Sequence, residues 1–506
     1  MPLDFQSVHL LLEHSGHYAL QAVLGQYYYL WLYPILIIFI AGVAYSCVLV
    51  WNSETHRKNR PLSLWSIVFA GLLLLSIVSN LFYGVSVNSY DTHDFYTGHL
   101  VRPLPFFSVD YANDALNTMI TQKSDSVNRN ILASPSLEIL QQYHMIPPAN
   151  TDSTGELKEP PPAAVFDKII IVAVESLDYE FISAVNPLMP ANITPNLDKL
   201  IRQYPSMSNY FNASQPTSWA LTALLMSRLD YTRECKTSGN MSLFTIANSL
   251  GYSTMYFAPL SGIFGDNRKT YSKLFAPQIQ FFLEDWSEKF GLSRNCTWGI
   301  SDPELYCGVM EVLKSHSAKR FIAVVSTMDL HPPYTASGIT EIEKKQFNTP
   351  FLQALHTTDR HLGDFLQKIM ADKKLYNERS LIIVTADHAA THGENYLKRN
   401  EFVPSRIPLI FITPNQKIFN KLPVNKYASS IDLPPTLMTL IGGVNPNSFM
   451  GRDLFSEKNL AFCRMGDDRI LVYTPEKTFD FRLEKAPDNE KEKAFADFFK
   501  FHYPQQ

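Results

Sequence analysis

The sequence predicts an α/β fold in which a mostly parallel central sheet is flanked by helices, with a two-helix transmembrane anchor at the N-terminus. Two long, uncharged apolar runs occupy the N-terminal region, and short β-rich apolar runs recur after residue 166. Helical stretches alternate with these short runs. Strands that are apolar throughout and alternate with helices are typical of parallel sheets covered on both faces.

The composition excludes several classes of protein. Charged residues make up 18% of the 506 residues and aromatic residues 13%, whereas a disordered chain has many charges and few aromatics. The formal net charge is −4, so there is no basic surplus for binding nucleic acid, and no nucleic-acid partner is expected. Five cysteines are too few for a disulfide scaffold.

The first predicted element is the membrane anchor over residues 27–84. Residues 27–51 and 61–84 contain no charged side chain. A hydrocarbon core ~30 Å thick needs about 20 apolar residues of helix, so both runs are long enough to cross it. Two buried helices in a soluble core are the alternative, but such helices are rarely this long and this free of charge. A cleaved signal peptide is disfavoured because no basic segment precedes the first run.

The basic residues predict the orientation of the anchor. Arg57, Lys58 and Arg60 lie between the two runs, and no Lys or Arg precedes them. Since cytoplasmic loops are enriched in basic residues, this loop is predicted to face the cytoplasm. Residues 1–26 and the chain after residue 84 then face outward. In a bacterium with two membranes, this places the protein in the inner membrane with its large domain in the periplasm.

The rest of the chain divides into a connector and a catalytic domain. Residues 85–165 are predicted to form helices followed by a Pro-rich linker, and residues 166–506 form the α/β domain. The predicted strands of this domain span residues 168–174, 253–259, 321–326, 381–386 and 407–413.

Acidic and imidazole side chains follow three of these strands. Glu175 follows the first, Asp329 and His331 follow the third, and Asp387 and His388 follow the fourth. The carboxyl ends of parallel strands meet at one edge, where α/β proteins bind ligands. Oxygen and nitrogen donors gathered there suit a divalent cation. Taken singly, each could instead be a salt-bridge partner, a cap or a surface residue.

A candidate nucleophile lies at the start of a predicted helix. Thr217 follows Pro216 and opens the stretch SWALTALLMSR. A hydroxyl there lies near the positive end of the helix dipole and near unpaired N–H groups, which favour an alkoxide and bind phosphate. The alternatives are that Thr217 only caps the helix, or that Ser218 supplies the oxygen.

The cysteines after the anchor suggest disulfides in an oxidising compartment. Cys296 and Cys307 are close in sequence and are predicted to pair, with Cys235 and Cys463 as a second candidate pair. Free thiols are the alternative.

A family resemblance rests on an ordered set of motifs: IIIVAVESLD, ITPNLDKL, NASQPTSWALTALLMS, TMDLHPPY, VTADHAATHGE, SRIPLIFITP, IDLPPTLMTLIG and GRDLF. Over residues 166–454 the chain resembles the sulfatase/alkaline phosphatase superfamily. It looks most like the membrane-anchored branch that transfers phospholipid head groups. That branch includes lipoteichoic acid synthases and the phosphoglycerol and phosphoethanolamine transferases.

The resemblance implies the site residues and the cofactor. It implies one catalytic cation, Zn²⁺ or Mn²⁺, with a second metal left open, and it makes Thr217 the nucleophile. It makes His331 and His392 residues that bind the substrate phosphate or act as general acid. The residues implied to surround the cation are Glu175, Thr217, Asp387 and His388.

The resemblance also implies the reaction. A phospholipid donor would pass its head group through a phospho-threonine to an envelope glycan or glycolipid, such as the lipopolysaccharide inner core. Phosphoethanolamine is narrowly favoured over phosphoglycerol. One alternative is a sulfate or phosphate ester hydrolase, against which Thr217 counts, because sulfatases carry Cys or Ser there. Another is a non-catalytic lipid-binding regulator, against which the complete ligand set counts. The sequence predicts no oligomeric state.

Overall fold

The computed structural model describes residues 135–145, 163–229, 241–390, 404–446, 448–466, 468–485 and 487–502. All of them lie in the second of the two units into which the chain divides, Val109–Gln506. No helix within these ranges has both the length and the apolar character that a membrane span requires. The predicted anchor over residues 27–84 and the predicted site residue His392 lie outside the described residues.

The described part of the chain alternates strands and helices. The strands are β1 Lys168–Val174, β2 Asn209–Phe211, β3 Ser253–Phe257, β4 Ile279–Phe281, β5 Phe321–Ser326, β6 Ser380–Ala386, β7 Leu409–Ile412, β8 Tyr427–Ser429, β9 Ala461–Met465, β10 Arg469–Tyr473 and β11 Thr478–Arg482. The helices are α1 Pro135–Gln142, α2 Pro195–Gln203, α3 Thr217–Met226, α4 Leu243–Ser249, α5 Asn267–Leu274, α6 Leu283–Phe290, α7 Asp302–Ser315, α8 Glu341–Gln346, α9 Pro350–Ala371, α10 Leu433–Ile441 and α11 Glu490–His502.

The central sheet is six-stranded, in the order β4-β3-β5-β1-β6-β7. Every neighbouring pair is parallel except β6 and β7, which are antiparallel. β5 and β6 are buried along their whole length, and β1 is buried after its first residue, because helices cover both faces. The predicted mostly parallel α/β sheet is therefore confirmed, with the strand predicted at residues 407–413 forming its antiparallel edge.

The strand order positions the candidate site. β1 lies between β5 and β6 and runs parallel to both. The residues that follow these three strands therefore meet at one edge of the sheet. Glu175 follows β1, Thr327 follows β5, and Asp387 follows β6.

A second, smaller apolar cluster lies beside the central sheet and was not predicted. β9, β10 and β11 form an antiparallel sheet that packs with α1 and α11. Leu140 of α1 and Phe495 of α11 share this cluster with Ala213 and Ala223, which lie before and within α3. Ser136 Oγ also donates to a carboxylate oxygen of α11 over 2.6 Å. The C-terminal sheet thus supports the helix that begins at Thr217.

The disulfide predictions are wrong for the described cysteines. Cys296, Cys307 and Cys463 are all free thiols, and Cys235 lies outside the described residues. Cys307 is an exposed residue of α7, whereas Cys296 lies in the preceding loop, where its N–H donates to the Gly299 carbonyl. Cys463 is fully buried within β9. Although Cys296 and Cys307 are close in sequence, they do not form a disulfide, and the alternative of free thiols is correct for the described cysteines.

Candidate active site

Glu175 is held at the end of β1 by its neighbours. Its side chain is 1% exposed. Its N–H donates to Thr327 Oγ1 over 3.1 Å, which fixes the end of β1 to the loop after β5. The hydroxyl of Ser176 donates to Glu175 Oε1 over 2.8 Å, and the N–H of Ser176 donates to Asp387 Oδ1 over 3.0 Å. Ser176 therefore connects the two carboxylates that follow β1 and β6.

His388 presents one ring nitrogen to the other candidate residues. Its Nδ1 lies 2.8 Å from the carbonyl oxygen of Ala389, and since a carbonyl only accepts, Nδ1 carries the proton. Nε2 is then the nitrogen with a lone pair. It lies 3.3 Å from Thr217 Oγ1, 3.4 Å from Asp387 Oδ2 and 3.8 Å from Glu175 Oε1. The four residues implied to surround the cation thus lie together.

Thr217 is the first residue of α3. Pro216 occupies the N-cap position, so the Thr217 hydroxyl does not cap the helix but lies beside His388. The alternative oxygen, Ser218, is 1% exposed, and its hydroxyl has no hydrogen-bond partner among the described residues. Thr217 is only partly buried. Of the two hydroxyls, Thr217 is therefore the one that a substrate can reach.

The donor set fits a divalent cation. Ligand atoms of Glu175, Asp387 and His388 all lie within 4.8 Å of one another. Glu175 Oε2 and Asp387 Oδ2 are buried and have no hydrogen-bond partner in the described structure. Burial, together with the charge of Asp387, raises the pKa of Glu175 well above its usual value. Two adjacent buried carboxylates are costly without a positive charge, and Zn²⁺ and Mn²⁺ accept this mixture of oxygen and nitrogen ligands.

His331 lies on the loop that follows β5. Its ring contacts the ring of Trp298, with centroids 4.6 Å apart, and its Nδ1 lies 2.8 Å from the Pro332 carbonyl oxygen. Thr327, which accepts the N–H of Glu175, begins the same loop. The loop of His331 is thus attached to the candidate cation site.

Asp329 does not join the group of ligand atoms formed by Glu175, Asp387 and His388 in the described structure. It is buried beside Asp302, and burial together with the charge of Asp302 raises the pKa of Asp329 to about 9.

Sequence reasoning missed residues that support the site. Asn212 is fully buried, and its Oδ1 accepts the N–H of Ala389 over 3.3 Å and that of Ser405 over 2.8 Å. Its Nδ2 donates to the Ser214 carbonyl. Asn212 therefore fastens the segment after His388 to the loop before Thr217. A single asparagine leaves no pattern that distinguishes this role from a surface position.

Comparison with known families identifies the region that contains the site. A family model described as Sulfatase matches residues 167–444, which is more than half of the chain. The match includes Glu175, Thr217, His331, Asp387 and His388.

Solved structures show the same fold. A protein in the alkaline phosphatase superfamily from Vibrio parahaemolyticus is 21% identical, with a TM-score of 0.55 over 72% of this chain and 94% of that one. The lipoteichoic acid synthase LtaP from Listeria monocytogenes is 17% identical, with a TM-score of 0.52 over 72% of this chain and 97% of that one. The predicted resemblance to the sulfatase/alkaline phosphatase superfamily is confirmed.

Proposed function

Because the chain belongs to the sulfatase family, we propose that it uses Thr217 as a nucleophile to transfer a phospholipid head group, through a phospho-threonine, to an envelope glycan. The observation that supports this most directly is the Thr217 hydroxyl, at the first residue of α3 and 3.3 Å from His388 Nε2. A threonine at this position, where sulfatases carry Cys or Ser, favours phosphotransfer over sulfate-ester hydrolysis.

Glu175, Asp387 and His388 would hold one divalent cation, Zn²⁺ or Mn²⁺, next to Thr217. When bound, such a cation supplies positive charge that favours an ionised hydroxyl and offsets the charge of the phosphoryl oxygens. The choice of Zn²⁺ or Mn²⁺ as the cation is part of this proposal.

The first half-reaction forms the phospho-threonine. Thr217 Oγ1 attacks the phosphorus of the head group and loses its proton, the bond from phosphorus to the diacylglycerol oxygen breaks, and that oxygen takes up a proton so that diacylglycerol leaves as the alcohol. The N–H groups of Trp219 and Ala220 already donate to the Pro216 carbonyl. The N–H groups of Thr217 and Ser218, in the first turn of α3, are therefore the ones positioned for the phosphate.

The second half-reaction returns the nucleophile. An acceptor hydroxyl attacks the same phosphorus while the bond to Thr217 Oγ1 breaks. His331 takes the proton of the acceptor hydroxyl, and a proton returns to Thr217 Oγ1 so that its hydroxyl is restored. Because the Pro332 carbonyl holds the proton on Nδ1 of His331, Nε2 is the unprotonated nitrogen, and we propose it as the base.

The substrates follow from the same proposal. The donor is a membrane phospholipid, with ethanolamine narrowly favoured over glycerol as its head group, and the acceptor is an outward-facing glycan or glycolipid such as the lipopolysaccharide inner core. The predicted anchor over residues 27–84 would keep the catalytic domain near its donor, in the periplasm at the bacterial inner membrane.

The proposal is tested with the full chain in nanodiscs that contain phosphatidylethanolamine or phosphatidylglycerol labelled in the head group. We expect label on Thr217, located by mass spectrometry, and passage of the label to added glycolipid. Thr217→Ala should abolish both. Ser218→Ala, which removes the neighbouring buried hydroxyl, should retain both. Transfer that persists in Thr217→Ala would refute the nucleophile, and cleavage of a sulfate ester without label on Thr217 would favour the hydrolase.

A further inference from the structure

We infer that Trp298 and Asp302 are positioning residues that hold His331 in the orientation needed for the second half-reaction. This inference rests on the proposed function. Asp302 is the first residue of α7, and Trp298 lies four residues before it. The His331 loop is hydrogen-bonded to Glu175 through Thr327 and to Asp302 through the N–H of Met328. Neither residue directly follows a strand of the central sheet, so the pattern of polar residues at strand ends does not indicate them.

Trp298 holds the backbone group that orients His331. Its Nε1–H donates to the Pro332 carbonyl over 2.8 Å, and Nδ1 of His331 lies 2.8 Å from the same oxygen. A carbonyl oxygen has two lone pairs, so both donors are accommodated. The indole ring also packs edge-on against the imidazole, with centroids 4.6 Å apart at an interplanar angle of 64°. Trp298 therefore restrains the ring of His331 directly and also through the Pro332 carbonyl.

Asp302 holds the backbone just before His331. Its Oδ1 accepts the N–H of Met328 over 2.9 Å and that of Asp329 over 3.3 Å. Asp302 is fully buried, so these bonds are protected from competition by water. The loop of His331 is thus fixed by Asp302 before the histidine and by Trp298 after it.

The segment that carries Trp298 and Asp302 is itself firmly placed. The N–H of Ile300 donates over 3.2 Å to the carbonyl of Pro259, which lies two residues after β3. A Cβ added to Gly299 would lie 2.0 Å from that same carbonyl oxygen, so only glycine permits this approach. Asn295 Nδ2 donates to Ser301 Oγ over 3.0 Å. This segment can therefore act as a fixed support for the His331 loop.

The test separates the two half-reactions in the full chain in nanodiscs. Trp298→Phe keeps the ring but loses the N–H, and we expect acceptor transfer to slow about fivefold, the effect of one hydrogen bond. Trp298→Ala loses both contacts, and transfer should slow about 100-fold, as for a misplaced catalytic group. The rate at which phospho-Thr217 forms should stay near that of the wild type in Trp298→Phe. Phospho-Thr217 therefore accumulates.

The chain offers a matched control. Trp286 of α6 is fully buried, whereas Trp298 is half-buried, and the Nε1–H of Trp286 donates to a different carbonyl, that of Ala258, over 2.9 Å. Trp286→Phe loses the same kind of bond but should leave the ratio of the two half-reactions unchanged.

Asp302→Asn retains an oxygen acceptor for the two N–H groups, whereas Asp302→Ala does not. We expect acceptor transfer to be faster in Asp302→Asn than in Asp302→Ala.

The possible results are distinct. Equal slowing of both half-reactions in Trp298→Phe, matching Trp286→Phe, would show a purely structural role and overturn the inference. Normal acceptor transfer in Trp298→Ala would overturn it too, while leaving the proposed function intact. Absence of phospho-Thr217 from the wild type would instead refute the proposed function, and the positioning role would fall with it.

Discussion

Replacing Glu175 by Gln should have opposite effects on stability with and without a cation. The carboxylates of Glu175 and Asp387 offer ligand atoms within 4.8 Å of each other, and both are buried. At an effective dielectric constant of about 20, two unit charges at that separation repel by roughly 3 kcal/mol. In the chelated protein, Glu175→Gln removes this repulsion, which Glu175 otherwise avoids only by holding a proton, as its raised pKa indicates. We therefore expect the variant to be more stable than the wild type by up to about 3 kcal/mol.

With Zn²⁺ or Mn²⁺ present, the order should reverse. A cation held at one thousand times its Kd stabilises the folded protein by about 4.1 kcal/mol, which is more than the roughly 3 kcal/mol of repulsion between the carboxylates. Glu175→Gln loses a charged ligand, so the variant gains less from the metal than the wild type does. At roughly 2 °C for each kcal/mol, the variant should melt up to about 6 °C above the wild type in chelator and below it in saturating metal.

Thermal unfolding of the full chain, followed by intrinsic fluorescence at one scan rate, gives the two comparisons. Glu343→Gln is the matched control, since Glu343 is also buried but lies 3.0 Å from the Arg360 guanidinium. Neutralising it removes an attraction, so the control should melt below the wild type with and without metal. If Glu175→Gln also lowers the melting temperature in chelator, the two carboxylates do not repel, and the reasoning fails. It fails equally if metal leaves the wild type unchanged.

Three other predictions concern the surrounding structure. Burial and the charge of Asp302 raise the pKa of Asp329 from 3.8 to about 9. The folded protein therefore loses stability relative to the unfolded chain as the pH rises from 3.8 to about 9. Asp329→Asn should therefore flatten the dependence of melting temperature on pH and be relatively more stable at the alkaline end, and an unchanged profile would contradict this. Lys458→Met should cost about 3–5 kcal/mol in denaturant unfolding, because it leaves Asp432 buried without its cation, 2.6 Å away. Adding Asp432→Asn should recover part of that loss, and a Lys458→Met variant as stable as the wild type would argue against the pair. A maleimide should label Cys307 in the folded protein without reductant, whereas labelling that needs reductant would indicate a disulfide.

The sheet and most of the candidate site could be predicted because each depends on local pattern. β1, β5 and β6 are short, continuous apolar runs. A residue that can bind a metal ion directly follows β1 and β6, namely Glu175 and Asp387. Parallel strand ends converge at one edge, so Glu175, Asp387 and His388 had to be neighbours once those strands were adjacent. The position of Thr217 followed from the proline before it and the helical stretch after it. Their roles as metal ligands and nucleophile stay predictions.

The remaining features depend on contacts between distant parts of the chain. Ser176 reaches Asp387 across 211 positions, and Asn212 reaches Ser405 across 193 positions. Neither the hydrophobic periodicity of the sequence nor the spacing of its motifs predicts contacts between residues so far apart. The C-terminal sheet β9–β11 was missed even though β11 alternates between buried and exposed residues, because the family motifs end before it. The predicted disulfide between Cys296 and Cys307 depends on their spacing alone, and spacing does not fix the direction in which each side chain points.

The packing of the first described helix against the last affects where the predicted catalytic domain can be cut. α1 precedes residue 166, the predicted domain boundary, yet Leu140 shares an apolar cluster with Phe495 of α11 and Ala223 of α3. A fragment that starts at residue 166 would lack α1 and leave one side of α11 facing water, a surface prone to aggregation. It would also lose packing behind the helix that presents Thr217. A fragment for expression should therefore begin ahead of Pro135 and extend through His502.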